Sequence, residues 1–131
     1  MRLLLDTQVV VWWLNADRKL GKLARRAIEI EEVGVWVSAA AVWEIAIKAA
    51  AGHLSFDDPL PAAVIRAVEY TRFQPLTITA RHALAAGALP LHHRDPFDRM
   101  LIAQAQLEGL TIVTSDTAFE EYDVKLLDAR T

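Results

Sequence analysis

No cysteine occurs among the 131 residues, which removes disulfide scaffolds, thiolate zinc and iron–sulfur sites, and thiol catalysis at once. No apolar run approaches the roughly 20 residues needed to span a bilayer. The segment from Met1 to Val10 lacks the basic start, apolar stretch and small-residue cleavage site of a signal peptide. A cytoplasmic protein without a membrane contact is therefore expected. Basic excess is missing too, because 14 Lys and Arg stand against 17 Asp and Glu for a net charge of −3, whereas nucleic-acid binders usually carry a positive surplus. A polyanionic substrate would need positive charge supplied locally. Glycine and proline number only five each, and no linker, internal repeat or low-complexity tract is visible. What is plentiful is apolar side chain, at 53% of residues against 24% charged. That is enough to fill one core, so residues 1–131 are expected to form a single folded domain.

Short apolar runs alternate with longer helical patterns. The runs Arg2–Leu5, Val35–Val37, Leu76–Ile78 and Thr111–Thr114, with a short fifth at Val124–Leu126, predict strands. The patterns predict helices over Thr7–Asn15, Gly21–Glu32, Ala39–Ala51, Pro61–Arg72, Ala80–Ala88, Pro96–Glu108 and Thr117–Glu121. Gly34, Gly52, Gly87 and Gly109 are each expected to close a helix in the left-handed conformation. Pro59 and Pro61, with Asp57 and Asp58 before them, mark a helix start. Strands without polar alternation are buried on both faces, so the expected fold is α/β, with a mainly parallel central sheet of four to five strands flanked by helices.

Four carboxylates stand where chemistry is expected. Asp6 ends the first strand, and open α/β sheets bind ligands at strand carboxyl ends; it is equally suited to cap the next helix. Glu44 and Lys48 are the only charged residues of the helix Ala39–Ala51. A carboxylate in so apolar a helix is paired, protonated or metal-bound, and an i,i+4 pair with Lys48 is the plain structural explanation. Asp95, Pro96 and Asp98 reproduce a capping box with Asp in place of Glu or Gln, which accounts for Asp95 and leaves Asp98 free to project from the first helical turn. Asp116 follows the strand Thr111–Thr114. An all-oxygen donor set suits Mg²⁺ or Mn²⁺ rather than zinc.

Four ordered segments carry a family likeness: Leu3-Leu4-Leu5-Asp6-Thr7, Ser38 through Glu44-Ile45-Ala46-Ile47-Lys48, Arg94-Asp95-Pro96-Phe97-Asp98-Arg99-Met100-Leu101-Ile102-Ala103-Gln104-Ala105, and Thr114-Ser115-Asp116. In this order they resemble a PIN domain of the VapC toxin type over essentially the whole chain. The resemblance implies the PIN-like three-layer fold and a metal-dependent ribonuclease, the toxin of a type II toxin–antitoxin pair. It places an acidic quartet on Asp6, Glu44, Asp98 and Asp116, holding one or two Mg²⁺ or Mn²⁺ ions, with support from the hydroxyls of Thr7 and of Thr114 or Ser115. It further implies an RNA substrate cut to a 5′-phosphate and a 3′-hydroxyl, a VapB-like antitoxin partner and a homodimer. Charge balance agrees with metal, since four clustered carboxylates would otherwise repel a phosphate and raise one another's pKa values.

Arg18, Lys19, Lys22, Arg25 and Arg26 lie within nine positions. They form either a solvated helix face or a patch for RNA phosphates. His92 and His93 lack a ligand-spaced partner and are expected as surface imidazoles, and His53 as a partner for a helix C-terminus. Trp12, Trp13, Trp36 and Trp43 are expected in the core, with Trp12 or Trp13 available to a dimer partner. Two other classes fit less well. A receiver-like binding domain wants an acidic pair at the first strand, and an aspartate-nucleophile phosphatase wants a second carboxylate two residues after Asp6, where Gln8 stands. A catalytically idle PIN-fold binding domain or a housekeeping RNA-processing nuclease would share all four segments.

Overall fold

The computed structural model describes residues 1–31, 34–53, 64, 65, 68, 69, 71 and 73–131. Strands β1 (Leu3–Leu5), β2 (Val35–Ser38), β3 (Gln74–Leu76), β4 (Thr111–Thr114) and β5 (Leu126–Asp128) form one sheet in the order β3-β2-β1-β4-β5, parallel throughout. Helices α1 (Thr7–Leu14), α2 (Lys22–Ile30), α3 (Ala39–Ala50), α4 (Ala80–Ala88) and α5 (Pro96–Glu108) surround it, with a short 3₁₀ helix at Thr117–Glu121. The structure is the expected α/β arrangement.

Successive side chains of a strand point to opposite faces, and β1 shows how that builds three layers. Leu3 and Leu5 pack with Val9 and Val10 of α1, Ile28 of α2 and Ile45 of α3. Leu4 packs on the other face with Leu101 and Ile102 of α5 and with Phe119. All three leucines are fully buried, which at about 25 cal/mol per Å² makes this strand a main source of hydrophobic stabilisation.

Several boundaries differ from the sequence expectation. The third strand is Gln74–Leu76 rather than Leu76–Ile78. Pro75 pairs opposite Val37, which is tolerated because β3 is an edge strand; the β-branched Thr77 and Ile78 instead lead out to the Thr79 cap of α4. The fifth strand is Leu126–Asp128 rather than Val124–Leu126, paired so that Thr114 faces Asp128. Gly109 and Gly52 do adopt the left-handed conformation, at φ 68° and 80°. Gly87 lies inside α4, and Gly34 leads into β2; neither has positive φ. The helix expected over Pro61–Arg72 and its start signals lie largely outside the described residues.

The sheet order decides where a ligand can sit. From β1 the chain moves one way to β2 and β3, then returns to place β4 on the other side of β1. The switch point therefore lies between the carboxyl ends of β1 and β4, where crossover connections diverge and leave a crevice. Asp6 immediately follows β1, with its backbone N–H bonded to Val113 O at 3.1 Å, and Asp116 follows β4 by two residues.

Candidate active site

Each carboxylate of the quartet is positioned by a helix start or by a buried helix face. Asp6 caps α1 through Oδ1, which accepts from Val9 N at 2.8 Å, while its Oδ2 accepts the Thr114 hydroxyl at 2.5 Å. Asp116 caps the 3₁₀ helix by accepting from Ala118 N at 2.9 Å, and its own N–H donates to Thr114 Oγ1 at 3.0 Å. The Thr114 hydroxyl thus links the carboxylate of Asp6 to the backbone N–H of Asp116, from opposite ends of the chain. Glu44, 7% exposed, is held from both sides: the Thr7 hydroxyl donates to Oε1 at 2.5 Å, and Lys48 Nζ lies 2.9 Å from Oε2. The i,i+4 pair and the buried position coexist, because Lys48 reaches in from a half-exposed side chain.

Asp95 accepts from Phe97 N and Asp98 N at 2.8 and 3.2 Å and so caps α5 alone. The expected reciprocal box is absent at this helix. Asp98 turns away instead, and its Oδ2 lies 2.7 Å from His93 Nε2. Thr79 and His82 form the capping box that is present, at α4.

His93 corrects the expectation of a surface imidazole. Its ring nitrogen, an Asp98 oxygen and an Asp116 oxygen all lie within 4.8 Å of one another, a spacing able to hold a metal ion. Sequence reasoning missed it because the contact depends on a loop held by long-range bonds. Arg99, 8% exposed, donates to the carbonyls of Ala86, Leu89, Pro90 and His93 at 2.8, 3.0, 3.0 and 3.2 Å. The Tyr122 hydroxyl donates to Pro90 O at 2.7 Å and accepts from His93 N at 2.9 Å. His92, by contrast, is exposed and meets the Tyr122 ring edge-on at 5.3 Å.

Electrostatic repulsion links members of the quartet pairwise. Burial pushes the Asp6 carboxyl up to about 6, against the pull of the Thr114 and Val9 hydrogen bonds, and the charges of Asp116 and Glu44 add to the rise. Burial likewise pushes Asp98 up to about 6; the His93 hydrogen bond opposes this, and Asp95 and Glu44 reinforce it. Repulsion therefore runs from Asp116 and Glu44 to Asp6, and from Glu44 to Asp98. Lys48 is the one cation bonded to a quartet member among the described residues, apart from a protonated His93.

The remaining sequence candidates fall elsewhere. Ser115 lines a cleft with Thr114, Asp116, Glu120 and Asp128, to which Glu44 and Asp98 do not contribute. Arg18, Lys22 and Arg25 line a separate groove, to which Lys19 and Arg26 do not contribute. Trp12 is buried and Trp13 packs on Phe73 at 5.5 Å, whereas Trp43 is 62% exposed and so departs from the expected core position. No described helix is long and apolar enough to cross a membrane.

A family model described as PIN domain matches residues 3–125. Solved structures share the fold at low identity. A VapBC2 complex from Rickettsia felis, bound to a DNA fragment from its promoter, matches with a TM-score of 0.74 and 15% identity over 97% of this chain and 98% of that one. DNA-bound VapBC from Salmonella typhimurium gives 0.73 and 18% over 98% of both chains, and a toxin–antitoxin complex from Klebsiella pneumoniae gives 0.69 and 19% over 97% of both. The chain matches no curated protein by sequence.

Proposed function

We propose, from the premise that this chain belongs to the PIN domain family, whose members are generally nucleases using divalent metal ions, that it is a Mg²⁺- or Mn²⁺-dependent endoribonuclease and the toxin of a toxin–antitoxin pair acting in the cytoplasm. What supports this reading is the linkage of four carboxylates with little positive charge beside them: Asp6 and Asp116 share Thr114 beside the switch point, oxygens of Asp98 and Asp116 lie within 4.8 Å of each other and of His93, and the Glu44 charge acts on both Asp6 and Asp98.

The donor set fits a hard divalent cation, being carboxylate oxygens with one imidazole and no sulfur. Asp98, Asp116 and His93 would hold it, with Asp6 and Glu44 completing the negative field. One or two bound ions would supply Lewis acidity to the scissile phosphate and lower the pKa of an attacking water. The chain's own residues do the positioning. Thr114 and Thr7 fix the carboxylate orientations of Asp6 and Glu44 through their hydroxyls, Lys48 holds the second Glu44 oxygen, and His93 orients Asp98. Such preorganisation avoids reorientation during in-line displacement of the 3′-oxygen by water, which leaves a 5′-phosphate and a 3′-hydroxyl.

One structural neighbour is a toxin–antitoxin complex, and the acidic crevice suits a guanidinium from such a partner, whose planar fork matches carboxylate geometry. An antitoxin segment laid over the crevice would exclude RNA, and the exposed Trp43 and Ile47 of α3 offer apolar surface to the antitoxin or to a second copy in a homodimer. The test is cleavage of single-stranded RNA by the purified chain with Mg²⁺, Mn²⁺ or chelator, with the termini of the products identified. Metal-dependent cutting that leaves 5′-phosphates, and that is lost in Asp98→Asn, is expected; cleavage persisting under exhaustive chelation would overturn the reading.

A further inference from the structure

A groove of about 640 Å³ lies between the α1–α2 connection and the last residues of the chain, lined by Arg18, Gly21, Lys22, Arg25 and Arg130. Its four cationic side chains have no carboxylate partner among the described residues. Two of them are braced rather than neutralised. The Arg130 guanidinium lies over the buried Trp12 ring at 5.6 Å and Arg25 lies over Trp13 at 5.5 Å, contacts that orient a cation without cancelling its charge. Four cations with no carboxylate partner among the described residues are unexpected in one groove of a chain of net charge −3.

The groove is joined to the acidic crevice by backbone. Ala129 N donates to Thr114 O at 2.9 Å, and Ala129 O accepts from Gly21 N at 2.9 Å, so one residue bridges the hydroxyl-bearing end of β4 and the groove. Gly21 makes that approach possible, since a Cβ there would fall 2.2 Å from the Thr131 carbonyl carbon and 2.5 Å from Arg130 O. A separate cleft beside Asp116 is lined by Glu120 and Asp128, which repel phosphate.

We propose that this groove, with Arg130 as its member from the chain's end, binds the sugar–phosphate backbone of single-stranded RNA next to the scissile phosphate. The assignment rests on the nuclease reading for its substrate, but its test is binding. Arg130 lies over a hundred residues from the cluster at Arg18–Arg25 and joins it only in the fold.

The experiment measures fluorescence anisotropy of a labelled single-stranded RNA of roughly 12 nucleotides with the metal-free protein across a salt series, for the wild type, Arg18→Gln/Lys22→Gln and Arg130→Gln. Arg25 is left in place because it packs on Trp13. Each lost phosphate contact lowers the salt slope by about 0.7, so the double variant should lose about 1.4 from the slope and bind roughly 10- to 30-fold more weakly near 0.1 M salt, with an unchanged melting temperature. With Mg²⁺, the same variants should show a raised KM and an unchanged kcat. Unchanged affinity and slope in both variants, no RNA binding by the wild type, or a preference for duplex DNA lost in the same variants would each overturn the proposal. RNA binding that weakens as expected without any cleavage by the wild type would sustain the groove and remove the nuclease reading. Cleavage with unaffected variants would do the reverse.

Discussion

The Thr114 hydroxyl donates to Asp6 Oδ2 at 2.5 Å and so crosses from the end of β4 to the first turn of α1. The same oxygen accepts the Asp116 N–H. Thr114→Val should therefore disturb the Asp6 carboxylate and the Asp116 backbone at once. A hydrogen bond to a charged group contributes about 1.5–3 kcal/mol, so we expect a loss of about 2 kcal/mol at neutral pH and weakened Mg²⁺ binding. Thr114→Ser should restore both. Equal losses in Val and Ser variants, measured by thermal melts with and without metal, would show that packing of the methyl group matters instead.

Glu44→Gln distinguishes the ion pair from the site. Gln can still accept from Thr7, and the half-exposed Lys48 loses little on release, so metal-free stability should change by no more than about 0.5 kcal/mol. Relief of the repulsion felt by Asp6 and Asp98 acts in the opposite direction. The rise in melting temperature with Mg²⁺ should shrink and cleavage should stop, whereas Lys48→Gln, which leaves the carboxylate in place, should keep most of the metal response and only slow cleavage. A Mg²⁺ response undiminished in Glu44→Gln, with RNA cleavage retained, would remove Glu44 from the site.

Asp95 and Asp98 should separate cleanly. Asp95→Ala removes the acceptor for two N–H groups at the start of α5 and should cost about 1 kcal/mol while sparing the metal response. Asp98→Asn keeps the fold and should abolish turnover. The same pattern of damage in both, by melts and by RNA cleavage, would reduce Asp98 to a structural residue.

Stability of the metal-free protein should fall with rising pH. Asp6 and Asp98 each have a folded pKa near 6 against an ordinary 3.8, so the folded state binds their protons more tightly than the unfolded state. Their contribution is fully present below about pH 4 and is lost as pH rises through about 6. For the buried Asp6 this amounts to roughly 3 kcal/mol at most. Mg²⁺ should reverse the trend, stabilising more at pH 7.5 than at pH 5. Chemical denaturation across this range, in wild type and in Asp6→Asn/Asp98→Asn, checks it; a slope of equal size in the double variant would assign the effect to other groups.

Arg99→Met should cost about 3 kcal/mol or more, because it removes the buried donor shared by the Ala86 carbonyl of α4 and the Leu89, Pro90 and His93 carbonyls of the loop before α5. Tyr122→Phe should cost about 1 kcal/mol and loosen His93 through its backbone N–H. If the His93 ring resonances and Mg²⁺ affinity are unchanged in Tyr122→Phe, the loop does not depend on this hydroxyl.

Much of the architecture was legible because its causes are local. Leu3–Leu5 and Thr111–Thr114 lack polar alternation, which identifies buried parallel strands, and Asp-Pro followed by an apolar pattern identifies the start of α5. Boundaries set by pairing partners were less legible. Pro75 reads against a strand until its neighbour on one side is known to be solvent, and the choice of Leu126–Asp128 follows from the register with Thr114.

The sequence by itself determined the helix caps, the strand cores and the presence of isolated carboxylates at element ends, since each follows from residues within one turn or one pleat. Only the tertiary structure decided that these carboxylates share a crevice, because the return of the chain across β1 is what puts Asp6 beside Asp116. It also decided the partners of Asp98 and the company of Arg130. His93 reaches Asp98 through a loop fastened by Arg99 and Tyr122, and Arg130 joins the basic cluster through a backbone contact that Gly21 alone permits. Contacts between residues far apart in sequence leave no periodicity to read, and burial by distant segments, rather than residue type, is what raises the affinity of Asp6 and Asp98 for protons.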